Sequence, residues 1–273
     1  MLAAIDFDGY GHLYFSTGLS YTSEISYHGF VDISDIDSQS FVDMIDIFLD
    51  YAPRPLDLLY LILPDGIAKG RTRETAQSSV PCTLNINRSD AMLAGIQYLH
   101  KTKHVEGIIL DINAYNPRLW RFEDYVVPLS KDPGILAQFS TEKLASALGT
   151  EVDNRFPYVL EDLKDYDDLI EEAMDLLKDS EVTDVHEDCG PLMLFVEEFC
   201  KGKAQELNEV LLSRFGNELS ETPQICLFGS GARILAPWLL PQFKQKIVTE
   251  TATENYLGKS AIFAGLDFHT ESY

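Results

Sequence analysis

Apolar and polar positions along this chain divide it into strands and helices before any motif is considered. The opening LAAIDF, residues 2–7, is a short apolar run that reaches Asp6 and predicts a buried strand. HLYFST, 12–17, follows a glycine-containing turn and predicts a second strand, and Ser26 to Ile33 a third. In SFVDMIDIFLDYA, 40–52, Phe41, Met44, Ile45, Phe48 and Leu49 recur at helical spacing, and Pro53 and Pro55 stop the helix. LDLLYLIL, 56–63, is nearly continuous in apolar residues, the pattern of a central strand covered on both faces. A polar segment at 67–79 reads as helix and TLNIN, 83–87, as a short strand. SDAMLAGIQYLHKTK, 89–103, reads as a helix with Ser89 as its cap.

The order then recurs. EGIILDI, 106–112, is a buried strand, and RLWRF and YVVPLS within 118–130 read as two strands of a meander. A helical block begins at STEKLASAL, 140–148, and runs on through YVLEDLKDYDDLIEEAMDLLK and PLMLFVEEFCKGKAQELNEVLLSRF. QICLFG, 224–229, is a strand, ARILAPWLL, 232–240, a helix, KIVTE, 246–250, a short strand and NYLGKSAIFAGL, 255–266, a closing helix. Apart from the helical insertion, about 150–216, the second half repeats the order of the first. What repeats is the architecture, without residue-level self-similarity. The boundary this predicts is a first lobe over 1–104 and a second over 105–273.

Composition narrows the partners. At 273 residues with 45% hydrophobic content, the chain can bury a real core. Its formal net charge of −23 repels phosphate backbones, so direct nucleic-acid binding is not expected. No apolar run reaches the roughly 18 residues a membrane span needs, and the N-terminus has neither the basic region nor the cleavage site of a signal peptide. Cys82, Cys189, Cys200 and Cys226 are scattered without a paired spacing, which fits reduced thiols in the cytoplasm. His186 near Cys189 lacks a second ligand pair, so a zinc site is not expected. His100 and His104 stand four residues apart without a nearby third ligand and read as surface residues. The acidic run 161–175, EDLKDYDDLIEEAMD, reads as a solvated helix face.

Three short segments carry possible chemistry. The first is the turn Asp6-Phe7-Asp8-Gly9-Tyr10-Gly11-His12. Glycines there let backbone N–H groups approach a phosphate with no Cβ in the way, and Asp6 offers the hard oxygen that Mg²⁺ prefers. The same turn can equally be an ordinary one in which aspartates satisfy backbone N–H groups. The second is Leu110-Asp111-Ile112-Asn113-Ala114-Tyr115-Asn116, with Asp111 at a strand end. The third, CLFGSGARILAPWLLPQF, 226–243, runs from a buried strand through Gly229-Ser230-Gly231 into a helix whose first turn has free N–H groups. That too can be a plain strand-to-helix turn.

The doubled element order with these three segments resembles the duplicated ribonuclease-H-like fold of the actin, sugar-kinase and heat-shock-chaperone superfamily. TENYLGKSAIFAGL, the DFDGYG turn and EGIILDI ahead of a meander look most like the plasmid-segregation actin-like proteins, the ParM/StbA group. The resemblance implies an α/β chain of two lobes around a cleft that binds ATP with Mg²⁺. In that reading Asp6 and Asp111 hold the metal and serve catalysis. Gly9 and Gly11 face phosphate, Asn113 lies against the cofactor, and Gly229, Ser230 and Gly231 face the nucleoside. Asn87 or Asp90 is the candidate for orienting water at the terminal phosphate. Slow hydrolysis would be coupled to self-assembly or to a protein partner. The sequence departs from the pattern in two places: the glycine after Asp6 is displaced by one position, and the second hairpin lacks the usual glycines and threonines.

Three alternatives stand beside this reading. One is a non-catalytic scaffold of the same fold. Another is a small-molecule kinase similar to type III pantothenate kinases, although their glycine-rich segment is represented here only by Pro133 and Gly134. A third is a haloacid-dehalogenase-type phosphatase with Asp6 as nucleophile and Asp8 as acid. Against it, Tyr10 stands where that family has threonine, and Asp167 and Asp168 lie in a helical pattern.

Overall fold

A computed structural model describes residues 2–7, 10–16, 22–30, 50, 58–63, 82–113, 117–129, 133–155, 190–239 and 246–249. The predicted helices at 40–52, 67–79, 158–178 and 255–266 lie outside these residues, apart from Asp50. So do Asp8, Gly9, Asp167, Asp168, His186 and Cys189.

The chain divides into two compact units. The first holds the described residues of 1–105 together with Phe122–Val127; the second holds Glu106–Arg121 and the described residues of 128–255. The first unit is built on strands β1 (Leu2–Phe7), β2 (Tyr10–Ser16), β3 (Thr22–Phe30), β4 (Leu58–Leu63) and β5 (Cys82–Asn87), followed by helix α1 (Arg88–His100). Its sheet runs β3-β2-β1-β4-β5. β1 pairs antiparallel with β2 and parallel with β4, and β4 pairs parallel with β5. The apolar run of β4 is buried from Leu59 to Leu63, as expected of a strand with neighbours on both edges.

The second sheet is formed by β6 (Glu106–Asp111), β7 (Arg118–Glu123), β8 (Val126–Pro128), β9 (Gln224–Phe228) and β10 (Lys246–Thr249). Its order is β10-β9-β6-β7-β8. Numbered from the first strand of its own half, the first sheet reads third, second, first, fourth, fifth from β3, and the second reads the same from β8. The chain is therefore a duplicated α/β fold, as the repeated element order predicts. A 3-10 helix (Pro133–Phe139) leads into α2 (Thr141–Arg155); α3 (Gly190–Glu221) precedes β9, and α4 (Ser230–Leu239) follows it. The core of this unit joins Ile108, Leu110 and Ile112 of the β6 segment to Ile225 and Leu227 of β9, Leu144 and Leu148 of α2, and Leu207 and Leu211 of α3. Among the described residues no helix is long and apolar enough to cross a membrane.

Four local readings are corrected. β2 starts at Tyr10, two residues earlier than predicted, which places Gly11 inside the strand opposite Phe7, next to a register shift between Tyr10 and Gly11. β3 spans Thr22–Phe30, because its early polar residues Thr22, Ser23 and Glu24 pair with Ser16, Phe15 and Tyr14. Cross-strand pairing extends the edge strand beyond its apolar pattern. The cap of α1 is Asn87, not Ser89: Asn87 has the extended φ of −69° and ψ of 145°, and Ser89 is buried in the first turn. The helix stops at His100 because Lys101 turns left-handed, with φ 52°, and its N–H donates to Tyr98 O at 3.1 Å.

Candidate functional site

The second unit gathers polar groups at the carboxyl ends of two parallel strands. β6 and β9 pair in register from Ile108 with Ile225 to Asp111 with Phe228. The register continues past the strands, where the Ile112 N–H donates to Phe228 O at 2.8 Å. The chain leaving β9 then doubles back onto the same residue: the Gly231 N–H donates to Ile112 O at 2.9 Å. The first turn of α4 thus starts on the backbone that ends β6.

Glycine is required for that approach. Gly229 has φ +90°, and a Cβ there would stand 2.4 Å from Ile112 O and 2.9 Å from Asp111 Oδ1. A Cβ on Gly231 would stand 2.5 Å from Ile112 Cγ2 and 3.0 Å from Thr141 Oγ1. The glycines of this turn therefore have a cause within the fold: they seat the β9–α4 turn on the end of β6. That requirement holds with or without a ligand.

Asp111 closes β6 and is only 2% exposed. Asn113, two residues on, donates from Nδ2 to Asp111 Oδ2 at 3.0 Å, which fixes the carboxylate's orientation. The Asn113 carbonyl accepts from the Thr141 N–H at 3.1 Å, bringing the start of α2 to the same point. Ser140 caps that helix: its Oγ accepts the Lys143 N–H at 3.3 Å, and both Ser140 and Thr141 are buried. Two helix amino ends, those of α2 and α4, therefore converge on Asp111–Asn113. Each contributes partial positive charge and first-turn N–H groups, a setting that favours an anion, the Asp111 carboxylate included.

Of the residues predicted from sequence, Asp111, Asn113, Gly229 and Gly231 are brought together here. Ser230 begins α4 in the same turn. Asp6 is in β1, with its backbone opposite His12 on β2 and Ile62 on β4, and belongs to the first unit. Asn87 and Asp90 are hydrogen bonded to each other at the β5–α1 junction, Asn87 Nδ2 donating to Asp90 Oδ2 at 3.0 Å. The sequence did not single out Ser140 and Thr141 as site residues. The available signal was a pair of hydroxyl residues directly before an apolar-periodic run, which reads as a helix start. Among the described residues no group of three or more His, Cys, Asp or Glu side chains is placed to hold a metal. Cys200 and Cys226 are both buried, and burial pushes the Cys200 thiol up to about 12.

No family model and no curated protein matches the chain. Solved structures do. An archaeal actin homolog, Ta0583, in complex with ADP is similar over 100% of both chains at 13% identity and a TM-score of 0.60. ParM from Bacillus thuringiensis with ATP is similar over 98% of this chain and 99% of its own, at 11% identity and a TM-score of 0.62. The MamK double helical filament subunit is similar over 98% of each chain, at 13% identity and a TM-score of 0.53. The chain has the actin-like, duplicated ribonuclease-H-like fold.

Proposed function

We propose that this chain is an actin-like nucleotide-binding protein, nearest the plasmid-segregation type. In this reading it takes ATP with Mg²⁺ at the carboxyl ends of β6 and β9 and couples slow hydrolysis to self-assembly or partner binding. The observation that carries the reading is the convergence of Asp111, Asn113 and the amino ends of α2 and α4 on one strand end. Two proteins of the same fold are solved with ADP and with ATP, and a third as a filament. Buried thiols and use of ATP fit a cytoplasmic setting.

The residues present suit the pair. Mg²⁺ keeps several waters and takes one or two carboxylates plus phosphate oxygens, so a site with few protein ligands is the expected form. Asp111, its carboxylate oriented by Asn113, would accept from that water shell. The partial positive charge at the amino ends of α2 and α4 favours phosphate oxygens there, and the Gly229-Ser230-Gly231 turn is proposed to lie against the nucleoside. When bound, the Mg²⁺–ATP pair supplies the polarised terminal phosphate that water attacks.

Calorimetric titration of ATP with Mg²⁺ into the wild type and Asp111→Asn tests this. Saturable binding that the substitution weakens at least tenfold supports it; no binding by the wild type overturns it. In that case the second reading, a non-catalytic scaffold, takes its place. That reading draws on the internal pairing of Asp111 with Asn113 and on the turn glycines, whose missing Cβ atoms are explained by the close approach of Ile112, with Asp111 and Thr141 beside it.

A further inference from the structure

The large apolar side chains that stand exposed are not scattered. Of the seven among the described residues, Tyr98, Leu99, Tyr125 and Val127 belong to one region of the first unit, and Leu194 and Leu212 to one helix of the second. Leu84 is the exception. The first region is the end of α1, the loop after it and the tip of the β7–β8 hairpin. These are tied together: the Thr102 N–H donates to Gln97 O at 3.1 Å, Gln97 Nε2 to Lys103 O at 2.9 Å, and the Asp124 N–H to Val105 O at 3.2 Å. His104 Nδ1 lies 3.2 Å from Asp124 Oδ2, so loop and hairpin tip form one platform.

The platform's charge differs from that of the chain. Residues 98–104, YLHKTKH, hold Lys101, Lys103 and two histidines and no carboxylate, on a protein whose net charge is −23. Of the nearby acids, Asp124 is held by His104, and Glu123 stands at the end of β7. Leu194 and Leu212 are eighteen residues apart in α3, about five turns at 3.6 residues per turn, so they share one side of the helix. Exposed Glu198, Gln205 and Glu209 lie along that side between them, with Lys201, and the helix's irregular residue, Phe215, comes after it. One surface is apolar and basic, the other apolar and acidic.

We propose that these two surfaces bind each other between copies of this chain: the platform of Tyr98–His104 and Tyr125 docks on the Leu194–Leu212 face of α3 in a second copy. Two copies carrying −23 each repel at most faces. Contact is favoured where aromatic and aliphatic anchors meet Leu194 and Leu212 while Lys101 and Lys103 meet Glu198 and Glu209. Because the surfaces differ, the contact is heterologous, and a single contact leaves one surface of each kind available for a further copy. The inference rests on the self-assembly part of the proposed function and names the surface that does it.

The test is charge reversal with rescue, read by sedimentation and light scattering with ATP and Mg²⁺ present. Lys101→Glu with Lys103→Glu, or Glu198→Lys with Glu209→Lys, is expected to raise the concentration needed for assembly at least tenfold. A chain carrying all four changes is expected to recover most of that loss. Assembly unchanged in the reversed chains, or no recovery in the fourfold variant, overturns the contact while leaving assembly itself established. A wild type that binds ATP by calorimetry but stays monomeric overturns the contact and leaves the nucleotide site standing.

Discussion

Gly229 and Ile112 are in such close apposition that a methyl group on the glycine would stand 2.4 Å from the isoleucine carbonyl oxygen. The glycine also has φ +90°, a region that side chains with a Cβ rarely enter. Steric overlap with rigid backbone and an unfavourable φ act together, so Gly229→Ala is expected to cost roughly 3 kcal/mol or more. Thermal unfolding would show a fall of several degrees, and loss of soluble protein is the extreme form of the same result. Gly202, on the exposed side of α3, has nothing within 4 Å of its Cβ position. Gly202→Ala should raise stability by about 0.5–1 kcal/mol, since the helix then loses less backbone entropy on folding. Equal responses at the two positions would refute this account of the turn.

How far the sequence could be read follows from the same contrast. Strands β4, β6 and β9 were legible because each is a run of apolar residues buried almost throughout. Their neighbour relationships followed from the order of elements, which appears twice. The 3-10 helix Pro133–Phe139 was not legible: its buried residues are Leu136 and Phe139, three apart, and a single such interval is too short to set a period. The site was legible where it rests on strand ends, at Asp111 and Gly229–Gly231. Thr141 reaches Asn113 across 28 residues of chain, a separation at which only tertiary structure brings the groups together. The glycines were visible in the sequence, but their immediate cause, the close approach of Ile112, was not.

Removing the Asn113 amide separates orientation from charge at the site. Asn113→Ala takes away the donor to Asp111 Oδ2 while leaving the carboxylate. A lost hydrogen bond to a charged group that is mostly buried should lower stability by about 1–3 kcal/mol. If Asp111 binds through the water shell of Mg²⁺, ATP affinity should fall less in Asn113→Ala than in Asp111→Asn, because one variant loosens the ligand and the other removes its charge. Denaturant unfolding and calorimetry on both variants check the two halves. An order reversed from this would place the binding role on Asn113.

Cys200 provides a pH signature. Its thiol, ordinarily near 9.0, is pushed up to about 12 by burial. Between those values the unfolded chain releases the proton and the folded chain keeps it, so the folded state binds more protons and stability falls as pH rises. Below about pH 9 the group contributes no slope. Relative to Cys200→Val, the wild type should lose on the order of 1 kcal/mol per pH unit once pH exceeds about 9. At pH 8 the folded protein should not be alkylated at Cys200, while denatured protein should be. Unfolding curves at pH 8 and pH 10 and mass spectrometry after alkylation provide the measurements.

Asn208 presents the reverse situation, a polar group whose removal should help. It lies on α3 beside the core residues Leu207 and Leu211 and is 1% exposed. Among the described residues, neither its Nδ2 nor its Oδ1 has a hydrogen-bond partner. A buried amide without partners has lost its hydration and gained nothing in return, so an apolar side chain of similar size should be preferred there. Asn208→Leu is expected to stabilise the protein by about 1–3 kcal/mol, whereas Asn208→Asp should destabilise it strongly by burying a charge. Because Asn208 is remote in sequence from Asp111–Asn113 and from Gly229–Gly231, ATP affinity should be unchanged in Asn208→Leu. A stability loss in that variant, measured by denaturant unfolding, would mean that the amide is satisfied in solution by a buried water, and that α3 depends on it.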